Sequence, residues 1–128
     1  MKIELANVFV DDTNKAFKFY TEVLGFVKKV HIPEINWITV TSPDEPEGTQ
    51  LLLEPNDNPV AKTYQEGIFA QGIPATSFAV EDIEKEYERL VQLGVEFTIK
   101  PTKSIGAIIA VFKDTCGNLI QIHQVLVD

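Results

Sequence analysis

The amino-acid sequence predicts an α+β fold made of two βαβββ modules, and three internal correspondences predict it. Val10-Asp11-Asp12 returns seventy positions later as Val80-Glu81-Asp82. Leu24-Gly25-Phe26 returns at sixty-nine as Leu93-Gly94-Val95. Gly48-Thr49-Gln50-Leu51-Leu52-Leu53-Glu54 aligns, again at sixty-nine, with Gly117-Asn118-Leu119-Ile120-Gln121-Ile122-His123. Landmarks that keep their order at a near-constant offset are the signature of a repeated structural unit.

In the first half, Ile3 to Val10 alternates as a strand does, with Ala6, Val8 and Val10 on one face and Leu5, Asn7 and Phe9 on the other. Asp12 is placed to cap a helix. Ala16, Phe17, Tyr20, Val23 and Leu24 fall on one helical stripe, which Gly25 ends by taking the left-handed conformation. Three strands follow, near Val27–Ile32, Trp37–Thr41 and Thr49–Glu54, broken apart by Pro33 and by Pro43-Asp44-Glu45-Pro46.

The second half repeats the succession. A strand over Ala75–Val80 leads to a helix capped by Asp82, with Ile83, Tyr87, Leu90 and Val91 on its buried face and Gly94 as its stop. Strands near Phe97–Lys100, Ile108–Phe112 and Leu119–Val125 complete it. Asp114-Thr115-Cys116-Gly117-Asn118 reads as a hairpin connection, with Gly117 suited to positive φ.

Between the halves, Pro55 to Gly72 is long for a compact domain, which makes it a linker with some lid character. Val60 to Gln65 is a candidate helical turn inside it. The organisation expected is thus one domain over residues 1–128: a first module of about 1–55, a connector of about 56–72 and a second module of about 73–128.

Composition narrows the function. With 45% hydrophobic residues, 128 residues fold as one core without staples. One cysteine permits no intrachain disulfide. Polar residues interrupt every apolar run, so neither a signal peptide nor a membrane span is expected, and the cytoplasm is the expected location. Nineteen acids against eleven bases give a net charge of −8, the wrong sign for gripping a phosphate backbone, so nucleic acid is not expected as a partner. The same surplus fits a cationic ligand or an ordinary soluble surface. No phosphate-cradling glycine loop, serine-nucleophile motif or CxxC pair occurs.

This order of elements resembles the vicinal oxygen chelate superfamily. The residues that carry the likeness are Val10-Asp11-Asp12 before the first helix, Phe19-Tyr20 and Leu24-Gly25-Phe26 at its end, and Asp114-x-x-Gly117-Asn118 before the last strand. That group includes glyoxalase I, extradiol dioxygenases, fosfomycin resistance proteins and bleomycin resistance proteins. The likeness covers essentially the full length. It implies mixed sheets that curl into an incomplete barrel around a central pocket, commonly in a homodimer.

The family's enzymes commonly hold a divalent metal with His, Gln or Glu from the first and last strand of each module. Those positions correspond here to Leu5, Leu52, Ala75 and Gln121. Leucine and alanine offer no lone pair, and Gln121 alone is a weak neutral donor, whereas metal enzymes need three or more converging ligands. Sliding either strand by one residue restores no ligand set and turns the apolar face the wrong way. No metal and no other cofactor is therefore expected, and standard metal-dependent glyoxalase I or dioxygenase activity is not expected either.

The same alternation assigns the pocket face to Leu5, Asn7 and Phe9, to Gln50, Leu52 and Glu54, to Ala75, Ser77 and Ala79, and to Leu119, Gln121 and His123. Such a mainly apolar surface with a few polar groups suits a small molecule. Glu54 and His123 occupy equivalent places in the two repeats. As carboxylate and imidazole they are candidates for acid–base catalysis or for ligand contact, and equally for plain strand-end residues near solvent. Joined by Asn7 they would make only half of a displaced metal site. Trp37 is a candidate for the pocket wall or for core packing. Tyr64 and Phe69 are candidates for closure over a ligand, although Phe69 serves equally as an anchor for the connector. His31 reads as a surface strand residue and Cys116 as a spectator thiol.

The expected function is metal-independent binding of an unidentified small molecule, in the style of bleomycin resistance proteins. The contacts expected for it are Asn7, Phe9, Trp37, Leu52, Glu54, Ser77, Gln121 and His123. The alternative is a lyase, isomerase or dioxygenase working in the same pocket, or a domain whose interface matters more than its pocket.

Overall fold

The computed structural model describes residues 1–126; the end of the second module's expected span, residues 127–128, lies outside them. The chain divides into two compact units, Met1–Tyr64 and Gln65–Asp128. Each is built on a four-stranded mixed sheet, so the α+β class and the paired βαβββ succession stand.

In the first unit, β1 (Leu5–Val10) leads to α1 (Thr13–Lys18), then β2 (Val27–Ile32), β3 (Trp37–Thr41) and β4 (Gln50–Pro55), in the spatial order β1-β4-β3-β2. β1 runs parallel to β4, and the other neighbours are antiparallel. Asp12 caps α1 by accepting from the backbone N–H of Lys15 at 3.0 Å. The expected stripe continues through one wider π turn over Phe19–Val23, which places Tyr20 in the core. Gly25 then ends the segment at φ 89°, where a Cβ would be strained. Val8, Val10, Ile38, Val40 and Leu53 are buried on one face of the sheet, as are Ala16 and Tyr20 of the helical segment.

The second unit repeats the plan with β5 (Thr76–Ala79), α3 (Ile83–Gln92), β6 (Phe97–Lys103), β7 (Ala107–Lys113) and β8 (Leu119–Val125), in the order β5-β8-β7-β6. Asp82 caps α3 through the N–H of Lys85 at 3.2 Å. Ile83 and Leu90 are buried, and α3 packs on β6, β7 and β8, where Ala110, Phe112, Ile120 and Ile122 are buried. Tyr87 meets Phe97 edge-on at 4.7 Å, and Phe97 meets Phe112 at 5.5 Å.

Two expectations change. Val91 does not join the buried face of α3 and is 45% exposed. Seven residues on from Ile83 bring Leu90 almost back to the same line, while the eighth turns Val91 about 80° away from it. The connector is more regular than expected: Pro59–Ala70 is a twelve-residue helix, α2. Asn58 starts it by accepting from the N–H of Val60 at 2.9 Å, and Pro59 follows with its fixed φ.

Candidate functional site

The ladders fix which side chains share a face. In the first unit Leu5 pairs with Gln50, Asn7 with Leu52 and Phe9 with Glu54. Partners in a parallel pair project to the same side, so these six stand opposite Val8, Val10 and Leu53. Thr39 pairs with Leu52, which brings Trp37, two residues along, to this face as well. Asn7 Nδ2 donates to Glu54 Oε1 at 3.0 Å, one step diagonally across the strands. Glu54 is half-buried, and Asn7 is exposed. Thr39, fully buried, accepts from the N–H of Val30 and donates to Gln50 Oε1 at 2.8 Å. Its hydroxyl thus satisfies the backbone where the β2–β3 register shifts between Lys28 and Val30.

In the second unit Ser77 pairs with Gln121 and Ala79 with His123. On the other side of β8, Val111 pairs with Gln121 and Ile109 with His123. Ser77 Oγ lies 2.6 Å from His123 Nδ1, and Gln121 Nε2 donates to the same Oγ at 2.9 Å. All three polar side chains are half-buried, and Val111 beside them is 2% exposed. Ser77–His123 takes the same diagonal across its parallel strand pair as Asn7–Glu54 does in the first unit. Each unit therefore holds one titratable side chain in place with a neutral neighbour two residues out of register.

The remaining expected residues are placed as follows. Leu5 is 45% exposed at the start of β1, and Leu52 is buried at 5%. Ala75 precedes β5, its N–H bonded to the carbonyl of Leu119 at 2.8 Å. At the four positions where a metal would be sought, only the amide oxygen of Gln121 has a lone pair for a cation, while its Nε2 donates to Ser77 Oγ. Among the described residues no group of three His, Cys, Asp or Glu side chains is placed to hold a metal ion. His31 is exposed and stacks on Phe17 at 6.5 Å. Trp37 is half-buried, and Tyr64 and Phe69 are 60% and 37% exposed on α2.

Cys116 is a fully buried thiol in the turn that feeds β8. That turn holds a polar cluster that sequence reasoning missed. Asp114, with no exposed surface, accepts through Oδ1 from the N–H of Cys116 at 2.7 Å and of Asn118 at 3.0 Å. Its Oδ2 accepts from Asn118 Nδ2 at 2.8 Å. Gln65 of α2 donates from Nε2 to the carbonyl of Cys116 at 3.1 Å and to Asn118 Oδ1 at 3.2 Å. The Asp114-x-x-Gly117-Asn118 spacing announces a turn, but a glutamine in an apparently unpatterned connector announces nothing.

Comparison with known proteins adds four likenesses. The sequence profile of the Glyoxalase/Bleomycin resistance protein/Dioxygenase superfamily matches residues 2–122. YurT of Bacillus subtilis (strain 168) is 57% identical over 126 residues, covering 97% of this chain and 99% of its own. Among solved structures, UcmS2 superposes with a TM-score of 0.80 at 32% identity, covering 96% of this chain and 97% of its own. TnmS3, an antibiotic binding protein from Streptomyces sp. CB03234, shares the fold with a TM-score of 0.76 at 23% identity, covering 98% and 97%.

Proposed function

Since the chain belongs to the Glyoxalase/Bleomycin resistance protein/Dioxygenase superfamily, we propose that it binds a small organic molecule, without a metal, on the sheet faces that carry Asn7–Glu54 and Ser77–His123. The observation that carries this is the Ser77–His123 pair. An imidazole fixed at 2.6 Å on a half-buried face, with Ile109 and Val111 beside it, is how small-molecule sites are built: apolar lining and a few oriented polar groups. Glu54, held by Asn7, offers the same kind of group in the first unit, on a face it shares with Phe9, Trp37 and Leu52. The antibiotic-binding role of TnmS3 supports binding as a use of this fold. Metal independence rests on Leu5, Leu52 and Ala75, which have nothing to give a cation.

The same reading makes residues 1–128 one functional domain that works in the cytoplasm as a homodimer. Cys116, buried and the single cysteine of the sequence, leaves no intrachain disulfide to form, which suits a reducing compartment. No helix among the described residues is long and apolar enough to cross a membrane.

The short Ser77–His123 contact favours one rival, in which His123 and Glu54 work as acid and base in a lyase, isomerase or dioxygenase. A ligand screen by thermal shift, followed by product analysis on every hit, separates the two. For a binder, Glu54→Ala or His123→Ala weakens affinity by about 1–3 kcal/mol and hits are recovered unchanged. For an enzyme, either change slows turnover by roughly 10²–10⁴-fold with little effect on affinity. A hit converted by the native chain but not by His123→Ala would sink the binding-only reading.

A further inference from the structure

We propose that Gln121 and Ser77 hold His123 in its Nε2–H tautomer, so that the second unit meets its ligand with a hydrogen-bond donor and selects an oxygen acceptor on it. The ligand class is thereby one carrying a carbonyl, carboxylate or phenolate oxygen. The ligand half of this rests on the small-molecule reading above; the tautomer half does not.

The sense of the relay follows from counting protons. A serine hydroxyl has one proton to give and two lone pairs to receive with. Gln121 Nε2 donates into one lone pair at 2.9 Å. The hydroxyl proton then goes to the other neighbour, His123 Nδ1, at 2.6 Å, a separation that suits an O–H donor. If Nδ1 carried the proton instead, Ser77 Oγ would accept twice and its own proton would have no acceptor among the described residues. An imidazole that accepts at Nδ1 carries its single proton, when neutral, on Nε2.

That Nε2–H is reachable. Among the described residues, every fully buried side-chain nitrogen or oxygen has a hydrogen-bond partner. His123 Nε2 has none among the described residues, so it lies at accessible surface. Ile109 and Val111, paired with His123 and Gln121 across β8, lower the local polarity, and a hydrogen bond formed there meets less competition from water. Ser77 and Gln121 are thus positioning residues, acting on a ligand through the imidazole. Reversing the relay requires the Gln121 amide to be turned around, with Oε1 accepting from Ser77 and Nδ1–H donating to Oγ. That arrangement would present an acceptor instead.

Two-bond ¹H–¹⁵N correlation spectra of the labelled full chain at pH about 8.5, where an ordinary imidazole is neutral, read the tautomer directly. His31→Asn identifies the His123 signals. The expected spectrum has Nδ1 of His123 as the unprotonated nitrogen and Nε2 as the protonated one; the opposite pattern overturns the inference whatever the ligand is. Ser77→Ala should remove the bias and Ser77→Thr should keep it. Gln121→Glu replaces the donating amide with an acceptor and should switch the proton to Nδ1. A tautomer indifferent to both Ser77→Ala and Gln121→Glu also overturns the relay.

Acetophenone and indole then test the ligand class, being neutral aromatics of equal size with only an acceptor and only an N–H donor respectively. Acetophenone should bind about tenfold tighter and move the His123 Nε2 signal. Equal or tighter binding of indole overturns the ligand class while leaving the small-molecule reading intact. Failure of both probes to move His123, with the expected tautomer present, overturns ligand selection by His123, while a hit in the thermal-shift screen leaves the small-molecule reading standing.

Discussion

Gln65 fills the space that a side chain at Gly117 would need: a Cβ built on Gly117 would lie 2.6 Å from Gln65 Nε2. Gly117 also sits at φ 98°, which side-chain-bearing residues avoid. Gln65 is 3% exposed and bonded to Cys116 and Asn118, so it yields only by giving up those bonds. Gly117→Ala should therefore destabilise the chain by roughly 2–4 kcal/mol, from backbone strain plus a disrupted buried amide. Urea unfolding measures it. In a Gln65→Ala background the same change should cost less, because the steric part has gone, and equal costs in both backgrounds would refute the coupling.

Asp114→Asn tests the same turn from its centre. The substitution keeps shape but exchanges one carboxylate oxygen for an NH₂ that must face Asn118 Nδ2, another donor. Rotating the Asn118 amide to relieve this removes the acceptor that Gln65 uses. Neither arrangement satisfies every group, and the expected loss is about 2 kcal/mol. Denaturant midpoints within experimental error of the native chain would show the cluster to be more adaptable than its geometry implies.

Gently purified protein should contain no stoichiometric transition metal, because the positions available to donors hold Leu5, Leu52 and Ala75. Elemental analysis decides this. Zinc, nickel, iron or manganese near one per chain, and lost on mutating Gln121 or His123, would contradict metal-independent binding.

The chain should sediment as a two-fold dimer at micromolar concentration. Leu5, Ile32 and Ile35 of the first unit are 45%, 41% and 64% exposed, apolar surface of the kind that self-association covers. A single species at 14.3 kDa counts against this.

Much of the architecture is legible in the sequence because short, alternating strands are punctuated by residues that cannot continue them. Val27–Ile32 and Trp37–Thr41 end at Pro33 and before Pro43, and strand parity alone sorts Asn7 and Glu54 from Val8 and Leu53. Parity does not reveal which of several neighbours a side chain will choose. Asn7 reaches diagonally to Glu54, and Ser77 to His123, through rotamers that the packed sheet selects. Helix α2 is harder to foresee, because its buried anchor is Gln65, a polar residue whose partners lie 51 and 53 positions away. The π turn at Phe19–Val23 is invisible for a related reason: an apolar stripe specifies a face and leaves the width of each turn open.

Strand order also sets a timetable for synthesis. Every pairing in the first sheet joins residues between Leu5 and Pro55, and every pairing in the second joins residues between Thr76 and Val125. On the ribosome, all strands of the first sheet are therefore made before β5 exists, and its closing parallel ladder waits on nothing downstream. Within the second sheet β8 lies between β5 and β7, although it is made after both. β5 emerges with no strand to join until β6, the β6–β7 hairpin and the Asp114 turn have followed it. Gln121 and His123 arrive on the strand that completes the sheet, so Ser77 acquires its partners in the step that knits the second half together.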